Sequence, residues 1–564
     1  MDLSINSTAD NRPQCQWNKI DWKQAYQTVR KLRGRIFKAT KRGDAKTARR
    51  LQKLLLNSYE NRLLAVRQIS QINVGKKTPG LDKLLVHTPT ERGILVDQLV
   101  EIRLNNWKPQ PDKRIYIPKA NGKLRPLGIP SILDRCLQYI VKSALEPEWE
   151  AKFERHTYGF RPGRSCHDAL HRVYNNCANS RAKKVWILNA NISGCFDKIS
   201  HQFILEAIGQ FPARTIIEGW LKCGYVDRNV FHPTIQATPQ GGVISPLLAN
   251  IALHGMDIPL GIKYLSRGDT LGNRGLVRYA DDCIVFCESE KDAKDVSEIL
   301  NKWLSSRGLS LSKEKTTISH IDDGFDFLGT NVRRYHISDT KTRLLIKPSK
   351  RSILKCQSKL KALWVQGYGK PATLTMRRLN AFIRGWANYF RMYISKDVFS
   401  SLDNKMFSWA IRYTRRTHPL KSWRWRKEKY FGRFNLTRKD RWTFGDKGTG
   451  HYLVKFAWFP IQRHTMIKGD NSPDNPDLSE YWEKRNQSNS KLEFTTQFDQ
   501  KIASNQNHVC PLCKQSLYNG EELHRHHKTP LRKGGKDVTS NIVFLHLLCH
   551  QQIDRSTVAY LPPL

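Results

Sequence analysis

Acidic residues are scarce in this chain. Asp and Glu number 50 against 95 Lys and Arg, a formal charge of +45 over 564 residues. A surplus of that size strains a compact fold by self-repulsion unless a polyanion neutralises it. A single basic run is ordinarily a solvated face. A surplus spread from end to end points instead to nucleic acid, with binding that weakens steeply as salt rises. Long apolar runs are also missing: none approaches the roughly 20 residues needed to span a bilayer. The polar segment Met1 to Asp10 has no apolar signal-peptide core. The expected location is therefore the cytosol or the chromosome, with no membrane partner.

Paired cysteines are few. Cys15, Cys136, Cys166, Cys177, Cys195, Cys223, Cys283, Cys287 and Cys356 are scattered, and only Cys510 and Cys513 form a C-x-x-C pair, with Cys549 downstream. This is no secreted disulfide framework; it fits a reducing compartment and one metal knuckle. Hydrophobic residues make up 39% of the chain, enough for packed cores, and its length requires several of them.

Residues 20 to 72 read as basic helices with apolar positions at Leu54, Leu55, Leu63, Val66 and Ile69. A turn from Gly75 to Asp82 ends them. Lys113 to Pro118 alternates as a strand, and Asn121-Gly122 turns it back into Lys123 to Leu127. Val185 to Leu188 enters Asn189 to Ile192. A second hairpin centres on Tyr279-Ala280-Asp281-Asp282, followed by a helix with one stripe of Val296, Ile299, Leu300, Trp303 and Leu304. After residue 350 the pattern becomes helical, with Leu379, Phe382, Ile383, Trp386, Tyr389 and Phe390 on one face. Cations and aromatics interleave from 411 to 445, and the polar stretch Gly469 to Ser490 reads as a linker.

Two adjacent aspartates at a hairpin tip raise each other's pKa unless a cation lies between them. Phosphoryl transfer supplies such a cation, since two metals clamp the attacking and leaving oxygens. Asp281-Asp282 alone is ordinarily a turn; its neighbours change the reading. Tyr279 to Asp282, the upstream run Thr238 to Asn250, the fingers-like hairpin at Arg114 to Pro118 and Gly122 to Pro126, and the blocks Gly308 to Thr316 and Gly324 to Gly329 resemble reverse transcriptases in order and spacing. The resemblance implies a right-hand polymerase using Mg2+ and dNTPs, with Asp281 and Asp282 catalytic. It also implies that Lys119, Arg125, Phe196 and Gln240 bind the nucleotide. In that family a catalytic Asp precedes the Gly-Cys-Phe-Asp run, and here Asn191 stands in its place. An amide brings no charge to a hard divalent cation, and Asp197 lies at a different offset. Weak or absent polymerase activity is the expectation.

Leu379 to Phe390 resembles the maturase domain of group II intron proteins, which serves as thumb and binds intron RNA. By periodicity alone its aromatics are core, leaving the surrounding Arg and Lys to meet RNA. Lys421 to Arg433 suits either a nucleic-acid-binding segment or a small basic domain packed on its own Trp residues.

Cys510, Cys513, His546 and Cys549 suit a tetrahedral zinc site. With His526-His527, Asn541 and His550 the segment resembles HNH endonucleases, a ββα unit around one divalent ion. The resemblance implies His527 as general base, Asn541 as its orienting residue, and His526 and His550 as ligands of a catalytic Mg2+. Asp554 lies one helical turn beyond His550, so it can share the metal-facing side as a further ligand. His524 replaces the family's acidic residue, and a purely structural knuckle is the competing reading.

The chain as a whole is thus expected to be multidomain α+β. The expected parts are an N-terminal helical extension (1–95), fingers and palm (96–345), a helical thumb or maturase domain (346–415), a basic DNA-binding segment and linker (416–490) and an HNH domain (491–564). It resembles group II intron-encoded reverse transcriptase/maturases, whose partners are intron RNA, target DNA and dNTPs, in a cytoplasmic, nucleoid-associated ribonucleoprotein. The alternatives are a maturase whose palm is only a scaffold, and a retroelement polymerase unrelated to splicing.

Overall fold

The computed structural model describes residues 15–553, except 119–121, 123, 179–181, 235, 237–239, 266–269, 339–340, 436–437, 491–496, 519–520, 531–533 and 537. Three helices, Trp22–Lys41, Ala45–Asn57 and Tyr59–Arg67, open the described chain. Each begins at a capping side chain, Asp21, Asp44 or Ser58, that accepts a hydrogen bond from an otherwise unpaired backbone N–H. Their apolar faces pack on the long helix Ile132–Glu150.

The hairpin expected in the fingers pairs Asp112–Pro118 with Leu124–Ile129 in continuous register from Lys113↔Ile129 to Pro118↔Leu124. A parallel neighbour, Tyr225–Asp227, extends that sheet. The Arg114 guanidinium lies 3.7 Å from the Tyr225 ring centroid and ties the two strands together.

The segment expected to be the palm contains a four-stranded antiparallel sheet in the order Thr317–His320, Trp186–Asn191, Asp282–Cys287, Gly275–Tyr279. Strand alternation divides its side chains between two cores. Leu188, Ala190, Cys283, Val285 and Cys287 join the core shared with the N-terminal helices. Ile187, Ile284, Phe286 and Val277 join the core shared with the thumb. Both faces are therefore covered, which is why Cys283 to Cys287 is uninterruptedly apolar and buried.

Three helices follow in the segment expected to be the thumb: Lys350–Gln366, Ala372–Phe390 and Lys396–Thr417. Leu379, Ile383, Ala387 and Phe390 are buried, and Phe382, Trp386 and Tyr389 pack partly buried against the same core. Arg377, Arg378 and Arg384 lie exposed on the same helix. The basic segment divides in the same manner. Tyr430, Phe431 and Phe444 are buried, while Trp423 and Trp442 are 37% and 44% exposed, the latter with Lys427 4.7 Å over its ring.

The polar stretch expected as a linker is held down tightly. Asp474 takes two hydrogen bonds of 2.7 Å from Arg33 of the first helix, and Trp482 is buried, its indole donating to the Ser472 carbonyl. Just before it, His464 donates to the fully buried Asp168 at 2.8 Å, and Arg485 reaches the same carboxylate at 3.2 Å. Residues 464 to 485 thus strap the palm to the N-terminal helices.

Candidate functional site

The palm site sits where the strand Trp186–Asn191 ends beside the Asp281 turn. Ala280 occupies that turn at φ +57°, a left-handed conformation disfavoured for a residue with a side chain. Three contacts hold it. The fully buried Arg278 donates to the Ala280 carbonyl at 3.3 Å and to Asn250 Oδ1 at 3.1 Å, and Asn250 donates to the Gly159 carbonyl at 2.8 Å. Gly159 lies directly against the turn, where an added Cβ would run into the Ala280 nitrogen. Sequence reading passed over Arg278; a buried arginine has no local signature, and only its partners, far along the chain, reveal it.

Register places Asn191 opposite Asp282. The Asn191 amide donates to the Asp282 carboxylate, and Lys315 donates to Asn191 Oδ1 at 3.3 Å. Burial pushes the Asp282 carboxyl up, and neighbouring Asp281 adds to the rise; Asn191 and Lys315 partly offset it. An N–H thus occupies a lone pair that a palm metal would need, and this trio fits a divalent cation poorly.

On the nucleotide side, Gln240 donates to Asp197 at 3.2 Å, and its carbonyl accepts from Gly128 of the fingers hairpin at 3.0 Å. Gly241, at φ +136°, lies so close that a Cβ would strike the Gly128 carbonyl. Phe196 meets Phe160 edge-on, ring centroids 6.2 Å apart. Phe160 was not singled out from sequence, yet it is 49% exposed at φ +60°. A bulky residue at positive φ marks strain of the kind that gathers at ligand sites. Arg125 is exposed opposite Ile117, whereas Lys119, Thr238 and Pro239 lie outside the described residues.

At the other end of the chain, Cys510, Cys513, His546 and Cys549 converge, with one ligand atom from each lying within 4.8 Å of the others. Cys513 Sγ is 3.2 Å from His546 Nδ1. Three sulfurs and one nitrogen, largely buried, suit a tetrahedral metal ion. The strands Leu523–His527 and Ile542–His546 form a hairpin, and the helix Leu547–Ile553 completes a ββα unit. His524 and His526, two apart on one strand face, both lie against His550, with ring centroids 5.4 and 5.2 Å away. His524 is thereby placed with the two expected metal ligands. Asn541 bonds to the backbone of Thr529 at 2.9 and 3.0 Å and of Lys536 at 2.9 Å, fixing the loop that follows His527. Asp554 lies outside the described residues.

Comparison with known proteins agrees with this layout. Residues 117–332 match the family described as reverse transcriptase (RNA-dependent DNA polymerase), and 17–99 match the N-terminal domain of reverse transcriptase. Residues 353–431 match the group II intron, maturase-specific domain, and 510–556 the HNH endonuclease. Protein YkfC of Escherichia coli is 34% identical over 324 residues, covering 50% of this chain and 84% of YkfC. The group II intron-encoded protein LtrA of Lactococcus lactis is 33% identical over 288 residues, 40% of this chain and 47% of LtrA. Maturase-like protein 1 of Euglena longa is 24% identical over 381 residues, 66% of this chain and 78% of that protein. The chain belongs to the group II intron-encoded reverse transcriptase/maturases that carry a C-terminal HNH domain. No helix among the described residues is long and apolar enough to cross a membrane.

Proposed function

We propose that this chain binds the RNA of its intron, assists splicing and nicks target DNA through the HNH module, while its palm copies RNA weakly or not at all. The observation that carries the last point is the Asn191–Asp282 hydrogen bond, which puts an amide where a metal-binding carboxylate is needed. The exposed Arg377, Arg378 and Arg384 of the thumb, within the maturase-specific match, are the proposed RNA contacts. Trp423 and Trp442, with cations over their rings, are the proposed DNA contacts.

In the HNH module His527 takes the proton of the attacking water. His526 and His550, with His524 beside them, would hold a divalent cation, which would supply stabilisation of the leaving oxygen. Zinc at Cys510, Cys513, His546 and Cys549 would hold the ββα unit together. Mg2+ and dNTPs would be needed at Asp281 and Asp282 only where residual copying persists.

In vitro splicing of the intron RNA under low-magnesium conditions tests this reading. The chain is expected to stimulate splicing, and an Asp281→Ala/Asp282→Ala variant to stimulate it equally. No stimulation by either protein would overturn the proposal. Stimulation lost only in the double variant would overturn the view of the palm as scaffold.

A further inference from the structure

A cavity of about 330 Å³ opens between the palm helix Cys166–Cys177, the strand Lys341–Pro348, the end of the thumb helix and the strap near residue 463. His167, His171, His464 and Tyr393 are among its lining residues, and Arg343 and Arg463 are its exposed cations. None of its described lining residues is acidic. The polymerase and nuclease chemistry above uses none of these side chains.

The three imidazoles are already engaged in ways that do not suit a metal. His167 Nδ1 lies 2.6 Å from the Tyr393 hydroxyl, His464 Nε2 lies 2.8 Å from Asp168 Oδ1, and His171 Nδ1 lies 3.2 Å from the His464 carbonyl. Burial pushes His167 down to about 4, with neighbouring His464 adding to the fall, and lowers His171 as well. At neutral pH both rings are uncharged aromatic surfaces. The cavity therefore combines a mostly apolar and aromatic wall with two guanidinium groups, and no carboxylate is among its described lining residues. That combination fits a flat heteroaromatic ring attached to an anion, and the volume is of the size small ligands occupy. One wall, Met392 to Ile394, falls within the maturase-specific match.

We propose that this cavity receives one unpaired nucleotide of the bound RNA, its base among His171, Tyr174 and Tyr393 and its phosphate at Arg343 and Arg463. The inference rests on the RNA-binding reading above and adds to it a base-specific anchor. Unpaired RNA bases are characteristically splayed onto aromatic side chains, while arginine grips the backbone.

The probe is the intron RNA carrying 4-thiouridine or 6-thioguanosine, photocrosslinked to the full chain, with crosslinked peptides mapped by mass spectrometry. Crosslinks at Tyr174, His171 or Tyr393 are expected. Ile461→Trp, which adds bulk at an exposed lining position, is expected to weaken equilibrium RNA binding by about tenfold, the scale of one lost stacking contact. Its melting temperature should stay unchanged. Arg343→Ala/Arg463→Ala should weaken binding and flatten its salt dependence by about one phosphate contact. If the wild-type chain binds RNA but the crosslinks fall elsewhere and Ile461→Trp binds normally, the cavity proposal is overturned and the functional reading survives. If the wild-type chain does not bind the RNA, both fall. Crosslinks at these residues with single-stranded DNA but not with RNA would overturn the assignment of RNA as occupant.

Discussion

Asn191 and Asp282 face each other across neighbouring palm strands, and the asparagine amide donates a hydrogen bond to the aspartate. With Lys315 on the amide oxygen, the three side chains form a linear relay from lysine through asparagine to aspartate. Such a relay partly offsets the burial of Asp282 and its repulsion by Asp281 without a metal. On the proposed reading, the palm stays folded as a platform for the thumb while copying RNA weakly or not at all.

The buried Arg278 beneath the turn should matter for stability. Arg278→Met removes the donor to Ala280 and Asn250 and leaves Glu154, 3.9 Å away and buried, short of a cation. A loss of about 3 kcal/mol or more is expected, read as a lower midpoint in urea. A midpoint equal to that of the wild type would contradict the bracing role.

Asp168 predicts an acid limb. Burial pushes its carboxyl up, but hydrogen bonds from His464, Ser165 and the Ile467 N–H outweigh burial and hold it well below the usual carboxylate range. In the unfolded chain the same group titrates near about 3.9, so the folded state binds fewer protons. The stabilisation is complete above that value and drains away as pH falls below it. Asp168→Asn should lower the melting temperature at pH 7 and leave a much smaller further drop between pH 5 and pH 3. An unchanged acid limb in the variant would show that the strap is held by other contacts.

Metal removal should act locally. A chelator, or Cys510→Ala, should open the HNH module to proteolysis between residues 497 and 553 while leaving RNA affinity within about twofold, because structural zinc sites contribute directly to folding. Loss of RNA binding in parallel would mean that the module and the thumb fold as one unit.

His527→Ala should abolish nicking of supercoiled DNA containing the target site, with the fold intact. His524→Ala should raise the divalent-ion concentration needed for nicking by about tenfold, the size of effect seen when a supporting group at a metal site is lost. An unchanged metal requirement would remove His524 from the site.

Much of this was legible from local pattern. Asn121-Gly122 between two alternating runs announced the fingers hairpin whose register runs through Pro118↔Leu124. The apolar stripe Val296, Leu300 and Leu304 is buried on one helix face. The C-x-x-C and H-x-x-C halves, more than 30 residues apart, were readable because metal geometry restricts ligand spacing. The strap was not legible. Gly469 to Ser490 is polar and carries prolines, as linkers do, and its anchors, Arg33 and Asp168, lie hundreds of residues away. Arg278 and His464 were hidden for the same reason, since a polar side chain engaged by partners far along the chain leaves no periodic trace. Trp423 and Trp442 stayed ambiguous because interleaved aromatics look alike whether they pack inward, as Tyr430 and Phe444 do, or outward.

The most direct test is primer extension on an RNA template with Mg2+, comparing the chain with its Asn191→Asp variant at matched RNA binding. Extension by the Asp variant alone is expected, because a restored carboxylate accepts the metal where the amide now donates to Asp282. Equal extension by both proteins would contradict the central claim and return the full copying function to this palm.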